Sequence, residues 1–438
     1  MTPLELGIIL LAVLIVTLAL GMPVGVGMIL VGGLGFVELA NWQALFGFLR
    51  DSTYSRLSSY SLSVIPLFLL MGEFATHSGF SRALYRAANA WMGHWRGGLA
   101  IASIGGCAGF GAICGSSVAT AATMARVALP EMRRYGYSGA LATGSLAAGG
   151  TLGILIPPSI VLLIYAILVE QSIGALFLAA FLPGILATVL YMITVAIVVR
   201  FDPEAGPAGA RADWRERIAS LQGVWPVVVI FLVVILGIYF GWFTPTEGAA
   251  IGAFTTGALA FITRGIDFRG FLDVLLSTAK TSAACYLILI GAEVYGAFLA
   301  RSELPFRAAE LVQSTALAPM AVIVAILLIY LILGCVMDAL SMILLTVPVF
   351  FPIVVQLDIG MTPDQIAIWF GILALMVVEV GLITPPMGLN VFVINSLAED
   401  VPITQSFKGI VPFLMSDFVR ITLVVLYPGL CLWLPGMW

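Results

Sequence analysis

GTLGILIPPS, residues 150–159, lies inside an apolar run long enough to be membrane-embedded, yet it carries two adjacent prolines. A proline has no N–H, so the carbonyl four residues back loses its helical donor. Pro157 and Pro158 therefore leave Gly153 and Ile154 without theirs, and Ile156, just before the pair, is pushed away from helical backbone angles. Lipid supplies no replacement, and an orphan carbonyl at membrane depth is costly. The stretch is either a packing kink or a deliberate break.

Composition fixes the setting. The 438 residues are 61% hydrophobic and 10% charged, with a mean hydropathy of +1.12. A soluble domain of this length needs far more polar surface, so this is an all-α polytopic membrane protein. The net charge of −4 carries little information, because charge in such a protein has meaning by side. Cys107, Cys114, Cys285, Cys335 and Cys431 form no CxxC pair and read as small apolar core residues. His77 and His94 cannot complete a zinc site with them, and HExxH is absent. The N-terminal stretch lacks the basic segment and cleavage site of a secretory signal and reads as a retained first span.

Runs long enough to cross lipid fall near 4–22, 24–40, 58–78, 138–168, 174–200, 224–242, 246–263, 276–299, 366–393 and 409–433. Two others, 98–129 and 318–357, are too long for one span and are interrupted centrally by GAICGSSVAT (111–120) and GCVMDALSM (334–342). Each reads as a re-entrant hairpin, since non-helical backbone is tolerated in a membrane only where protein or water covers it. Charge tests the count. Alternating sides group Arg82, Arg86, Arg96, Arg126, Arg133, Arg134, Arg200, Arg211, Arg215, Arg217, Arg264, Arg269, Lys280 and Lys408 together. The other side keeps Arg50, Arg56, Arg301 and Arg307, with Arg420 inside a span. That bias makes the first side cytoplasmic and predicts both termini outside. Reading either hairpin as one crossing would put the later basic loops on the wrong side.

The polar segment 201–223 divides the chain, and what flanks it repeats. GILIPPS (153–159) matches GLITPPM (381–387); GMPVGVG (21–27) and FTPTEGA (243–249) each break the join between the first two spans of a half. Residues 1–200 read as scaffold spans (4–78), amphipathic arm (80–95), hairpin (98–129), broken helix (138–168) and span (174–200). Residues 224–438 read as scaffold spans (224–299), arm (301–316), hairpin (318–357), broken helix (366–393) and span (409–433), with 201–223 a cytoplasmic connector. Five crossings separate equivalent points, so the halves are inverted. Inverted repeats with paired broken helices mark a secondary transporter.

The breaks have chemistry to offer. Pro385 and Pro386 release the carbonyls of Gly381 and Leu382 as the first pair does in its half, and Thr384 takes the place of Ile156. Carbonyl oxygens suit a hard cation, and a restarting half-helix presents N–H groups to an anion. At the hairpin centres, Gly115, Ser116 and Ser117 supply hydroxyl and carbonyl oxygens, and Asp338 and Ser341 a carboxylate and a hydroxyl; local turn capping accounts for the same residues. GSS at 115–117 lacks GxSxG spacing and neither histidine is placed as a base, so an enzyme is not expected. Intramembrane charge falls on Glu379 and Arg420 as well as Asp338, with Asp417 three residues before Arg420 as a structural partner. Glu73 and Glu293, in matching third spans, read as scaffold hydrogen-bonding or partner-contact residues.

PLFLLMGEFATHSGFSRAL (66–84), GHWRGGLAIASIGGCAGFGAICGSSVATAATM (93–124), LPEMRRYGYSGALATGSLAAGGTLGILIPPSIVLLIYA (129–166), MDALSMILLTVPVFFPIV (337–354) and EVGLITPPMGLNVFVI (379–394) together resemble the large membrane subunit of TRAP (tripartite ATP-independent periplasmic) transporters. The resemblance spans essentially the whole chain. It implies an inverted-repeat, elevator-type secondary transporter with two re-entrant helical hairpins and two broken helices. It further implies Na⁺-coupled uptake of an organic acid (a C4-dicarboxylate, sialic acid or related carboxylate) across the bacterial inner membrane. The implied partners are a small four-helix membrane subunit, here a separate chain, and a periplasmic substrate-binding protein; no organic cofactor and no nucleic acid are expected. Carried over by motif, one sodium site falls on Gly115, Ser116, Ser117, Gly150, Thr151, Gly153 and Pro157, and the other on Asp338, Ser341, Gly381, Thr384 and Pro385. Ser116, Ser159, Asn390 and Arg420 are the expected substrate contacts. The rival expectations are a self-sufficient sodium–carboxylate symporter, which needs no binding protein, and a channel, which cannot accumulate solute.

Overall fold

The computed structural model describes residues 1–263, 265–314 and 318–437. Arg264 of the basic set, positions 315 and 316 of the second arm and position 438 of the second repeat lie outside the described residues. Among those described, every regular element is helical. Several helix starts are written in the same way. Thr2, Thr244 and Thr362 are each followed by proline, with Glu5, Glu247 or Gln365 two residues further on, and each triplet closes a capping box. Proline at the first helical position loses no bond there, so the motif starts a helix without cost.

Both hairpins and both broken helices are present. The first hairpin is Gly98–Cys114 and Ser117–Arg134; the second is Pro319–Gly334 and Ala339–Val355. The first broken helix is Gly139–Leu155 followed by Ile160–Leu168, bent by 41°. The second is Pro363–Gly381 followed by Leu389–Leu397. The leading segment of each broken helix is the most deeply enclosed part of the chain, with nearly every residue buried. Among the described residues, four helices are alone long and apolar enough to cross lipid (Ile173–Phe201, Phe268–Arg301, Pro363–Gly381 and Ile403–Leu426), and three bent pairs raise that to seven.

The halves interlock instead of lying side by side. In the scaffold, Val24–Leu39 packs on Phe268–Arg301, and Val64–His77 packs on Pro245–Ile262. In the inner group, the second arm of the first hairpin lies on Leu389–Leu397, while that of the second lies on Ile160–Leu168. Gly139–Leu155 lies on Ile403–Leu426, and Ile173–Phe201 meets Pro363–Gly381. Each of these pairs joins an element of one repeat to one of the other, and each has its symmetric counterpart.

Three segments differ from the hydropathy reading. Trp42–Leu57 is a helix, capped by the Asn41 side chain, which accepts from the Ala44 N–H at 2.8 Å, and is bent 60° against Tyr60–His77. Its arginines, acid and hydroxyls interrupt any apolar run, so hydropathy leaves it as a loop. The span placed at 276–299 begins earlier, at Phe268, because Asp267 caps it by accepting from the Gly270 N–H at 2.7 Å. The connector is not free. Gly206 and Ala205 carbonyls accept from Gly97 and Ser138 N–H groups, Gly209 N–H donates to Gly93, and Trp214–Leu221 packs on the first arm helix, Phe80–Met92.

Candidate functional site

The first hairpin turns at Gly115, whose φ of 65° lies in the left-handed region that favours glycine. A Cβ there would stand 2.8 Å from the Pro158 carbonyl oxygen, so the tip rests directly on the first break. Ser116 adopts extended backbone and caps the returning arm, its hydroxyl accepting from Ala119 at 3.4 Å. Ser117 is buried, and its hydroxyl oxygen accepts from Asn390 Nδ2, a tie from the opposite repeat. Asn390 also donates to Ala147, and its buried Oδ1 has no hydrogen-bond partner.

The second tip is built from its own cap. Asp338 accepts from the Ser341 backbone N–H at 3.2 Å and from the Ser341 hydroxyl. The capping role and exposure to a cavity coexist, since a carboxylate has about four acceptor sites.

The two breaks are alike in sequence and unlike in bonding. Both Pro–Pro bonds are cis. At the first, the carbonyls of Gly153 and Ile154 receive no hydrogen bond from the described residues. At the second, the expectation of free carbonyls is corrected: Gly381 accepts from Thr384 N–H at 3.2 Å and Leu382 from Asn390 N–H at 3.0 Å. Thr384 is non-proline and reaches back in a tight turn, while Gly388, at φ 54°, brings Asn390 back over the break. The Thr384 hydroxyl is turned to Val380, 2.6 Å away.

Each break is also pressed by backbone. A Cβ on Gly153 would lie 2.6 Å from the Ser116 carbonyl oxygen and 2.5 Å from Thr120 Oγ1, and one on Gly111 2.6 Å from Gly153 Cα. In the other repeat, a Cβ on Gly381 would lie 2.5 Å from the carbonyl carbon of Gly334. Thr120 escaped the sequence reading. Its Oγ1 is buried without a partner beside Gly153, and its place one helical turn after Ser116 was the available signal.

A cavity of about 160 Å³ brings the two tips together, lined by Gly115, Ser116, Ser117 and Asp338, with Leu69 and Thr281 contributed by the scaffold. Asp338 also borders a neighbouring cavity of about 310 Å³ with Met387, Leu389 and Phe392. The remaining predicted residues stand elsewhere. Gly150 packs on Ala121 beside the Asn390 amide. Ser159, 1% exposed, caps Ile160–Leu168 by accepting from Leu162 N–H at 3.3 Å. Thr151 turns its hydroxyl to Ala148 and Tyr191. Arg420 is fully buried and ion-paired to Asp417 at 2.9 Å and Glu379 at 3.4 Å, which places it in a structural cluster instead of the cavity expected for a substrate contact.

The oxygens left open at the first break are neutral, the Gly153 and Ile154 carbonyls and the Thr120 hydroxyl, with the Asn390 amide about a turn earlier, beside Gly150. Such a set fits a hard, weakly charged cation, as carbonyl and hydroxyl oxygens do generally. Two inverted breaks and two hairpin tips meeting at one cavity between interlocked repeats define a secondary-transport permease. The comparisons agree. The chain matches the family "Tripartite ATP-independent periplasmic transporter, DctM component" over residues 11–430, and it belongs to that family. It is 38% identical over 378 residues to the C4-dicarboxylate TRAP transporter large permease protein DctM of Pseudomonas aeruginosa, covering 86% of each chain. It is 30% identical over 420 residues to the sialic acid TRAP transporter large permease protein SiaM of Vibrio cholerae, covering 95% of each. Among solved structures it shares the fold of the Alcanivorax borkumensis YdaH transporter, with a TM-score of 0.62, 14% identity and 90% of each chain covered.

Proposed function

We propose that this chain is the permease of a sodium-driven importer of a small organic acid, a C4-dicarboxylate, sialic acid or related carboxylate, delivered by a periplasmic binding protein. It would sit in the bacterial inner membrane with both termini outside, beside a small membrane subunit. The observation that carries this is the set of neutral oxygens without hydrogen bonds at the first break, whose Ile154 lines the same cavity as the carboxylate of Asp338. When bound, sodium supplies positive charge beside a cavity that has no cationic side chain among its lining residues. The carboxylate is then held by that charge and by half-helix N–H groups. The same cavity lies at the seam between the scaffold and the inner group, which supports an elevator motion in which the tips and breaks slide together past Leu69 and Thr281.

Asp338→Asn separates charge from capping, since asparagine caps as well as aspartate. In vesicles holding the permease, its small subunit and the binding protein, D338N is expected to raise the sodium concentration for half-maximal uptake about tenfold, the equivalent of about 1.4 kcal/mol. Wild-type uptake that ignores the sodium gradient would sink the coupling. Uptake that survives omission of the binding protein would replace the tripartite reading with a self-sufficient symporter.

A further inference from the structure

Behind the breaks lies a fully buried polar cluster that the transport cavity does not use. Thr151 and Glu379 each sit six residues before the first proline of their pair, on the leading segments of the two broken helices. Tyr191, on Ile173–Phe201, and Asp417 and Arg420, on Ile403–Leu426, fill the space between them. None of the five side chains is more than 1% exposed. The Tyr191 hydroxyl donates to both Asp417 oxygens, at 2.8 and 3.0 Å, and lies 3.2 Å from the Thr151 hydroxyl. With the Tyr191 proton directed at Asp417, the single Thr151 proton is shared between the Ala148 carbonyl, at 2.7 Å, and the Tyr191 oxygen. Arg420 is ion-paired with Asp417 at 2.9 Å and donates to Glu379 at 3.4 Å, and its guanidinium stands 5.8 Å from the Tyr191 ring centre. Polar contacts, part hydrogen bond and part ion pair, therefore run from one broken helix to the other, through a medium in which such contacts reinforce one another.

We infer that Tyr191 is a positioning residue that couples the two breaks, so that a cation held at one sets the geometry of the other. The link is short at both ends. Thr151 is two residues from Gly153 and Glu379 two from Gly381, the glycines against which Gly111 and Gly334 are pressed. A shift in either end of the chain moves a hairpin contact. Tyr191 can do this only while its hydroxyl remains, because its ring is held separately by Phe413 at a centroid distance of 5.6 Å.

The inference rests on the sodium reading above, and the test keeps the two apart. In vesicles with the small subunit and binding protein, Tyr191→Phe is expected to raise the sodium concentration for half-maximal uptake about fivefold or more, the lower end of ordinary coupling. It should also flatten the sodium activation curve, leaving substrate KM at saturating sodium unchanged. Thr151→Val, a gentler change, should act in the same direction, and the double variant should be no worse than Y191F alone. Trp369→Phe is the control: it removes another buried bond, from Trp369 Nε1 to the Val424 carbonyl at 2.9 Å, and should lower thermal stability without moving the sodium curve. Sodium curves of Y191F and T151V that superimpose on wild type, or strictly additive effects, overturn the coupling while the sodium reading stands. Wild-type uptake without any sodium dependence overturns both.

Discussion

Arg420→Ala is expected to remove most of the folded protein, giving little monodisperse material in detergent and a sharply lowered thermal midpoint in what survives. Among the described residues, Arg420 is the only guanidinium that pairs with Asp417 and Glu379, both fully buried. Removing one partner of a buried pair leaves an uncompensated charge and costs about 3–5 kcal/mol, a large share of the roughly 5–15 kcal/mol that holds a typical domain together. Lysine is not expected to rescue, since a single ammonium lacks the planar fork that reaches two carboxylates. Removing all three charges together, with Arg420→Met, Asp417→Asn and Glu379→Gln, should restore much of the folded yield, because well-packed neutral groups replace buried ion pairs with little loss. If R420A instead folds normally and loses only substrate affinity, the side chain is a substrate contact after all.

Gly381→Val is expected to lower the initial uptake rate more than tenfold per folded molecule. The added Cβ falls 2.5–2.6 Å from the carbonyl carbon and Cα of Gly334, both backbone atoms, so no flexible side chain can yield. Overpacking of this kind costs about 1–3 kcal/mol, enough to displace the hairpin without unfolding the chain. The displacement lands on the helix ends that carry Cys335 to Asp338. Gly381→Ala should do the same more mildly. Uptake of G381V at the wild-type rate, measured against the quantity of folded permease, would mean that this close approach plays no part in the transport cycle.

The features legible in the sequence were those with a local chemical cause. A Pro–Pro pair in an apolar run, an overlong apolar stretch with a polar centre, and one-sided arginines each state their consequence within a few residues. Thus both breaks and both hairpins are legible in the sequence itself. What could not be read depends on partners far apart in the chain. Tyr191 meets Asp417 across 226 positions and Asn390 meets Ser117 across 273, and nothing local marks either pairing. The unequal bonding of the breaks has a local origin instead: the Gly381 carbonyl is closed by Thr384, and the Leu382 carbonyl by Asn390, where Gly388 folds that segment back. Ser159 and Asp338 show the opposite limit: a residue type suited to a ligand is equally suited to a helix cap, and its position in space tells which partners it has.

The swapped pairing of the halves has a consequence for how the molecule is made. As the chain leaves the ribosome, Val24–Leu39 enters lipid with its main partner, Phe268–Arg301, not yet synthesised, and Gly139–Leu155 must wait for Ile403–Leu426. Glycine-rich faces that will later meet backbone to backbone first face acyl chains. The N-terminal half is thus inserted long before it is complete, and the last long helix closes the structure by delivering Asp417 and Arg420 to Tyr191. Truncations in the final span should therefore cause degradation of the whole chain, whereas a cut within 201–223, with both pieces synthesised together, leaves every pairing available to form.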